Sequence, residues 1–357
     1  MAQLKNQFKT DSKVLVDHAL DVFFADGIAA SSRISPQYRE LWKDMQRLVT
    51  SGGKRIRPHM TFLAFEAFGG QDTSHVTHVA AAQELLHQCL LIHDDIIDRD
   101  YTRYGVDNIA GSFEAKYQSY VHETTERTHY AHGAAILAGD LLLSGAYKLL
   151  ALSPLTPDTK AQVQTIFSDS ILEVAGGELM DTESAFRSPD EIDTLAIARF
   201  KTASYSFTGP LMTGAVAAGA EPATLGSLQK FGIHLGVAFQ LKDDLLGVFG
   251  DEAITGKSTT SDISEGKYTY LVEQFLSLAP EEDTALFYEN FGVRNADDHR
   301  IETVKSLLVL SGARDACHAK IDQYEAVARM ALEQLPISVE DRRKFEALID
   351  TSLKRDF

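Results

Sequence analysis

No proline occurs between Pro58 and Pro154, a run of 95 residues in a chain of 357 that holds only nine prolines. Proline is the residue that a helix interior excludes most strongly, so this run permits long, uninterrupted helices. Apolar residues within it are spaced accordingly: Leu85, Leu86, Cys89, Leu90, Ile92 and Ile97 recur with a helical period between Ala80 and Asp98. The same period marks Val163 to Leu172, Leu195 to Ala203, Leu228 to Leu246 and Ala326 to Leu335. Alternating strand patterns are scarce and short, and nothing supports a nucleotide-binding glycine fingerprint. The sequence therefore predicts an all-α chain of roughly a dozen helices. A single large helical domain over residues 1–357 is its simplest organisation.

The polar stretch Tyr117 to His132 and the Gly/Ser/Thr/Asp-rich stretch Asp251 to Gly266 read as loops. His122, His129 and His132 crowd the first of these. A polar loop without cysteine partners reads as solvated surface before it reads as a metal centre. Fifty-one acids against 34 strong bases leave a formal charge of -17. Such a field repels phosphate backbones and anionic lipid surfaces, which argues against nucleic acid as a partner. Two cysteines, Cys89 and Cys317, are too few for a disulfide framework and suit the reducing cytoplasm. The N-terminus has no apolar run of signal-peptide length, and Asp140 interrupts the most apolar segment, Ala134 to Leu152. Neither export nor stable membrane insertion is expected.

Chemistry concentrates in two acidic clusters. His93-Asp94-Asp95-Ile96-Ile97-Asp98 closes an apolar helix, and Asp94 and Asp98 lie one turn apart on the same face. Two carboxylates about 6 Å apart repel by roughly 3 kcal/mol at an effective dielectric of ~20, so the arrangement costs stability unless a cation relieves it. Hard oxygen donors suit Mg²⁺, which keeps waters and bridges carboxylates to a phosphate. A solvated helix end is the plainer alternative for this cluster alone. A second cluster, Asp243-Asp244 within Phe239 to Leu246, follows 149 residues after the first, and Asp251 comes soon after. Two such clusters on separate helices are expected to hold Mg²⁺ ions against a diphosphate across a cleft.

The bases fall where such a site needs them. Ser51-Gly52-Gly53-Lys54-Arg55-Ile56-Arg57-Pro58 sets three cations beside a flexible Gly-Gly, a combination suited to cradling an anion. Arg103 follows Asp98 by five residues. Lys201-Thr202 opens a helical turn, and Lys242, Lys257 and Lys267 flank the second acidic pair. Each alone reads as a solvated cation; together, in an acidic chain, they point to diphosphate. His87 lies seven residues before Asp94, on nearly the same helical face.

These segments, in this order from Gly52 to Lys267, resemble the trans-isoprenyl diphosphate synthase family. The likeness is carried by GGKRIRP, DDIIDRDYTRYG, AILAGDLLL, Lys201-Thr202, and FQLKDDLLGVFGD followed by TGK and EGK. The resemblance implies the isoprenoid synthase type I fold, a helical bundle around a central cavity, working as a homodimer. It implies head-to-tail condensation: an allylic diphosphate (dimethylallyl, geranyl or farnesyl) ionises, isopentenyl diphosphate adds, and a proton is lost. Asp94, Asp98 and Asp243 are then the metal ligands, supported by Asp95 and Asp244, with three Mg²⁺ ions per site. Arg103, Lys201 and Lys257 match cations that bind the allylic diphosphate, assisted by Lys242, and Lys267 joins the binding set. Gly53, Lys54, Arg57 and His87 match positions that grip isopentenyl diphosphate. Thr202 and Gln240 match positions that flank the carbocation, which also needs a dry wall such as Phe239. Released diphosphate is close enough to take the proton, so no side chain is nominated as base.

Three departures stand out. Tyr104 replaces the second of two paired arginines, Gly247 stands where many relatives carry a third aspartate, and Glu178 stands where relatives often carry glutamine. Chain length is a steric matter in the family: the residue five before the first aspartate floors the product pocket. Here it is Cys89, with Leu86 one turn deeper, so the expected product is geranylgeranyl diphosphate. Farnesyl or longer polyprenyl diphosphates are the alternatives. A terpene cyclase has no use for GGKRIRP, and a noncatalytic regulatory subunit is expected to have lost aspartates that are all present here. The C-terminal Lys354-Arg355-Asp356-Phe357 is expected to close over the diphosphates.

Overall fold

The computed structural model describes residues 2–50, 53–103, 105–250, 261–294 and 296–354, with side chains from Ser12 onward except that of Ser261. Sixteen α-helical segments lie among the described residues. That exceeds the dozen expected from periodicity because segments as short as Thr194–Ile197 and Ser261–Glu265 cannot display a period. The strands among the described residues are the two-residue pair Thr102–Arg103 (β1) and Val106–Asp107 (β2), antiparallel with Arg103 opposite Val106. Two compact units divide the chain: Met1–Ile166 with Pro210–Ala220, and Phe167–Gly209 with Glu221–Phe357.

The first unit is organised on α4 (Ser74–Ile97) and α6 (Thr124–Leu152), which pack against each other along their length. Its core takes Val79, Ala82, Leu85, Leu86, Cys89 and Ile92 from α4, spaced as the sequence predicts. Small residues of α6, including Ala131, Ala135, Ala138 and Gly145, form its buried face. α6 is long and apolar enough to cross a membrane, and 44% of its most apolar window is buried. α1 (Ala2–Ser31), α2 (Pro36–Thr50), α3 (Ile56–Ala67) and α5 (Ile109–Tyr117) pack around this pair.

One expected loop is largely helix. Within the polar stretch 117–132, α6 begins at Thr124, because the Glu123 side chain accepts from the backbone N–H groups of Thr125 and Glu126 and caps it. His129 and His132 therefore ride on α6, where His132 meets the Tyr101 hydroxyl at 3.3 Å. The capping carboxylate outweighs the polarity that reads as loop.

The second unit is organised on α10 (Pro222–Phe249), against which the helix Ala313–Glu333 and the stretch Ala198–Thr208 pack. Ala198–Thr208 is a π-helix of 11 residues, wider than the α-helix its periodicity predicts. α7 (Pro157–Ser184) passes beside it. The expected loop 251–266 closes with the helix Ser261–Glu265, its earlier part lying outside the described residues.

Candidate active site

In the first unit the acidic cluster ends α4. Asp98 donates its backbone N–H to the Asp94 carbonyl at 2.8 Å, and Arg99 then takes a left-handed backbone (φ 62°) that turns the chain away from the helix. The β1–β2 hairpin follows and carries Arg103 back onto the helix end. Arg103 Nε donates to Asp95 Oδ1 at 2.8 Å, and Nη2 reaches the same oxygen and Asp94 Oδ2, the latter at 3.4 Å. Burial pushes the Asp95 carboxyl up to about 6 despite the pull of Arg103. Asp94 is half-buried and Asp98 exposed. Asp95 is thus the anchor of Arg103, and the outer pair Asp94 and Asp98 presents oxygens at the helix end.

The basic loop sorts its three cations. Gly53 has φ 128°, a conformation that side chains rarely adopt, and Arg55 is itself left-handed (φ 47°). Arg55 turns inward, where its guanidinium meets Asp17 at 2.9 Å, Glu84 at 2.7 Å and the Val49 carbonyl at 2.8 Å. It is a structural rivet. Lys54 is exposed and Arg57 half-buried. His87 is held well below its usual pKa by burial and then by the charges of Arg57, Arg103 and Arg55. The first unit therefore gathers His87, Arg57 and Arg103 within one electrostatic neighbourhood that favours the uncharged imidazole.

In the second unit two glycines make room for the π-helix. A Cβ on Gly177 of α7 would lie 2.2 Å from the Lys201 backbone nitrogen, and one on Gly236 of α10 would lie 2.5 Å from Ala203. Backbone approaches this close exclude any side chain. Lys201 Nζ reaches Glu178 at 3.0 Å and Asp181 at 2.5 Å, both on α7. Thr202 Oγ1 donates to Gln240 Oε1 at 2.6 Å, and Gln240 Nε2 donates to Asp244 Oδ1 at 2.7 Å. That relay fixes which end of the amide faces which partner.

Burial pushes the Asp244 carboxyl up to about 7, against the opposing charge of Lys267. Burial would lower Lys267, but the carboxylates of Asp262, Asp181 and Asp244 raise it further than burial depresses it. Asp243 is half-buried beside this group. Lys242 is buried, with its charge felt at Cys317 and His318. Sequence reasoning missed Asp262. Its Oδ2 lies 2.3 Å from where a Cβ on Gly247 would stand, so the space that a side chain at 247 would need is taken by a carboxylate from fifteen residues on. The glycine itself was the available signal. Lys257, Asp251, Tyr104 and the last three residues, 355–357, lie outside the described residues.

The donors of each unit suit a hard cation: Asp94 and Asp98 in the first, and Asp243, Asp244 and Asp262 in the second, offer carboxylate oxygen. Among the described residues no three His, Cys, Asp or Glu converge on one point. Mg²⁺ tolerates this, since it takes one or two carboxylates and completes its shell with water and substrate phosphate.

Residues 39–308 match the model of the polyprenyl synthetase family. The chain belongs to that family. It is a trans-prenyltransferase of a magnesium-dependent group whose substrates are isopentenyl diphosphate and an allylic diphosphate. The geranylgeranyl diphosphate synthase of Sulfolobus acidocaldarius is 35% identical over 76% of this chain and 77% of its own. The geranylfarnesyl diphosphate synthase of Aeropyrum pernix is 31% identical over 86% and 92%. The crystal structure of geranylgeranyl pyrophosphate synthase from Corynebacterium glutamicum, complexed with isoprenyl diphosphate and magnesium, superposes with a TM-score of 0.88. It is 31% identical and covers 97% of this polyprenyl synthetase and 98% of its own chain. The all-α fold expected from periodicity is the fold of these synthases.

Proposed function

We propose that the enzyme condenses isopentenyl diphosphate with an allylic diphosphate and releases geranylgeranyl diphosphate as its main product. Cys89 carries the product-length reading: it is small, buried at 2% exposure, and precedes Asp94 by five residues on α4. Leu86, also buried, lies one turn deeper. Names of relatives such as those of Sulfolobus acidocaldarius and Corynebacterium glutamicum support the same product.

In this reading Gly53, Lys54, Arg57 and His87 hold the diphosphate of isopentenyl diphosphate, and the neutral imidazole donates one hydrogen bond. Arg103, Lys201 and Lys267 bind the allylic diphosphate, joined by Lys257 and assisted by Lys242. Their cations stabilise the charge that develops as the allylic C–O bond breaks. Bound magnesium supplies further positive charge to the leaving diphosphate, and Asp94, Asp98 and Asp243 are the residues to hold it, with Asp95 and Asp244 supporting, at three ions per site. Thr202 donates to Gln240, so its own oxygen lone pairs remain as the negative end of a dipole for the carbocation. Phe239, 5.2 Å from the buried Phe207 ring, helps to exclude water. The double bond of isopentenyl diphosphate adds to the cation, a C–C bond forms, and the released diphosphate takes the departing proton.

The reading extends to a homodimer acting in the cytoplasm, each chain a single working domain. The free, buried thiols of Cys89 and Cys317 support a reducing compartment, and the family match running across both units supports one working domain. Purified protein incubated with Mg²⁺, labelled isopentenyl diphosphate and each allylic primer should give a twenty-carbon product. A main product of another length would overturn the length assignment, and no elongation from any primer would overturn the reaction. Cys89→Phe should shorten the main product to farnesyl diphosphate; an unchanged profile would sink the role given to Cys89.

A further inference from the structure

Lys201 stands in a clamp of two carboxylates. Glu178 and Asp181 are three residues apart on α7 and so share a face, and both reach Lys201 Nζ, Glu178 with its two oxygens at 3.1 and 3.0 Å and Asp181 at 2.5 Å. All three side chains are largely shielded, with 22% exposure for Lys201, 20% for Glu178 and 15% for Asp181. The Lys201 ammonium is thus shared between two carboxylates. Asp181 serves two cations, since its charge also reaches Lys267. Glu178 is the second carboxylate held on the Lys201 ammonium.

We infer that Glu178 weakens the grip of Lys201 on the allylic diphosphate, so that this residue sets the enzyme's affinity for its primer. The inference rests on the reading that Lys201 binds that diphosphate. An incoming diphosphate must share Lys201 with Glu178 or displace it, and must approach a like charge while doing so. Three features separate charge from geometry. Glutamine keeps an oxygen able to accept from Lys201, and Asp181 remains as counter-ion at the shorter distance. Gly177 independently fixes the backbone of Lys201 by close contact. Glu178→Gln therefore removes repulsion while leaving the lysine where it is.

The test is steady-state kinetics of Glu178→Gln with dimethylallyl, geranyl and farnesyl diphosphate at saturating Mg²⁺. The Michaelis constant for the allylic substrate should fall by about three- to tenfold, the range for one unit charge removed near a partly shielded phosphate. The constant for isopentenyl diphosphate should stay within the error of the assay. Calorimetric titration with inorganic pyrophosphate and Mg²⁺ should show tighter binding by a similar factor. In a Lys201→Met background the effect of Glu178→Gln should shrink, because the competition for Lys201 is gone and only direct repulsion remains, an outcome that a merely structural role for Glu178 would not produce. An unchanged or raised allylic constant overturns the inference, as does an effect undiminished without Lys201 or an increased Mg²⁺ requirement, which would make Glu178 a metal ligand. If Lys201→Met alone leaves the allylic constant unchanged, the reading of Lys201 falls as well, so the two failures are distinguishable. Thermal melts of each variant separate these outcomes from misfolding.

Discussion

The two aspartate-rich regions solve one electrostatic problem in different ways. At Asp94, Asp95 and Asp98 the balancing cation is local: Arg103 comes back eight residues later through a two-strand hairpin and binds Asp95 and Asp94. At Asp243 and Asp244 the balancing cation is Lys267 from beyond the helix, working against the added repulsion of Asp262, while Gln240 links Asp244 to Thr202 of the π-helix. The first region is a helix end with a short tether. The second is a network in which four stretches of chain must all be in place. A local device survives small shifts elsewhere, whereas a network transmits them.

The largest test removes one carboxylate from each region. Asp94→Ala and Asp243→Ala should each lower kcat/KM by roughly a thousandfold or more, measured under saturating Mg²⁺. A loss of less than tenfold in either would break the parallel between the regions. Next, Gly177→Ala probes the network alone. Alanine is favoured over glycine inside a helix by about 1 kcal/mol, but its Cβ would sit 2.2 Å from the Lys201 nitrogen, so the π-helix must move. A displacement of that order costs about a hundredfold in kcat/KM. A variant that melts higher with full activity would show the contact to be relaxed at no cost.

A smaller effect tests the contact between Gly247 and Asp262 in the second region. Gly247→Ala should cost about tenfold by pushing Asp262 aside, and Asp262→Ala should cost about as much. The double variant should be no worse than either single one; additive losses would separate the two residues. The smallest effect lies in the first unit and concerns pH. His87 has a pKa depressed well below 6.5, so the unfolded chain takes up the proton first as pH falls. Its contribution is fully present above pH 6.5 and is lost as pH drops toward the folded value. His87→Gln should therefore flatten the decline of melting temperature below pH 6.5; an unchanged slope would place the titration elsewhere.

The difference between the regions also explains what was legible. Asp94, Asp98 and Arg103 lie within ten residues on a helix and its exit, so periodicity and spacing alone bring them together. The buried faces of α4 and α10 were legible for the same reason. Arg55 was not distinguishable from Lys54 and Arg57 as a cation in the same loop, because its inward turn depends on a left-handed backbone and on Asp17 and Glu84 from other helices. Asp262 was illegible because it enters by filling a space, and the residue that announces the space is a glycine. The π-helix at 198–208 escaped periodicity because its extra width is set by glycines on neighbouring helices.

Composition and pattern by themselves determined that the chain is helical, that two acidic clusters end or interrupt apolar helices, and which cations stand near them in sequence. These follow from local forces: backbone propensity, the helical repeat and repulsion between like charges one turn apart. Tertiary structure alone decided which cation is structural, which carboxylate fills the place of Gly247, and that Lys201 is shared between Glu178 and Asp181. Each of these depends on a close approach between segments far apart in the chain, and such contacts are set by packing, for which a linear pattern carries no distance.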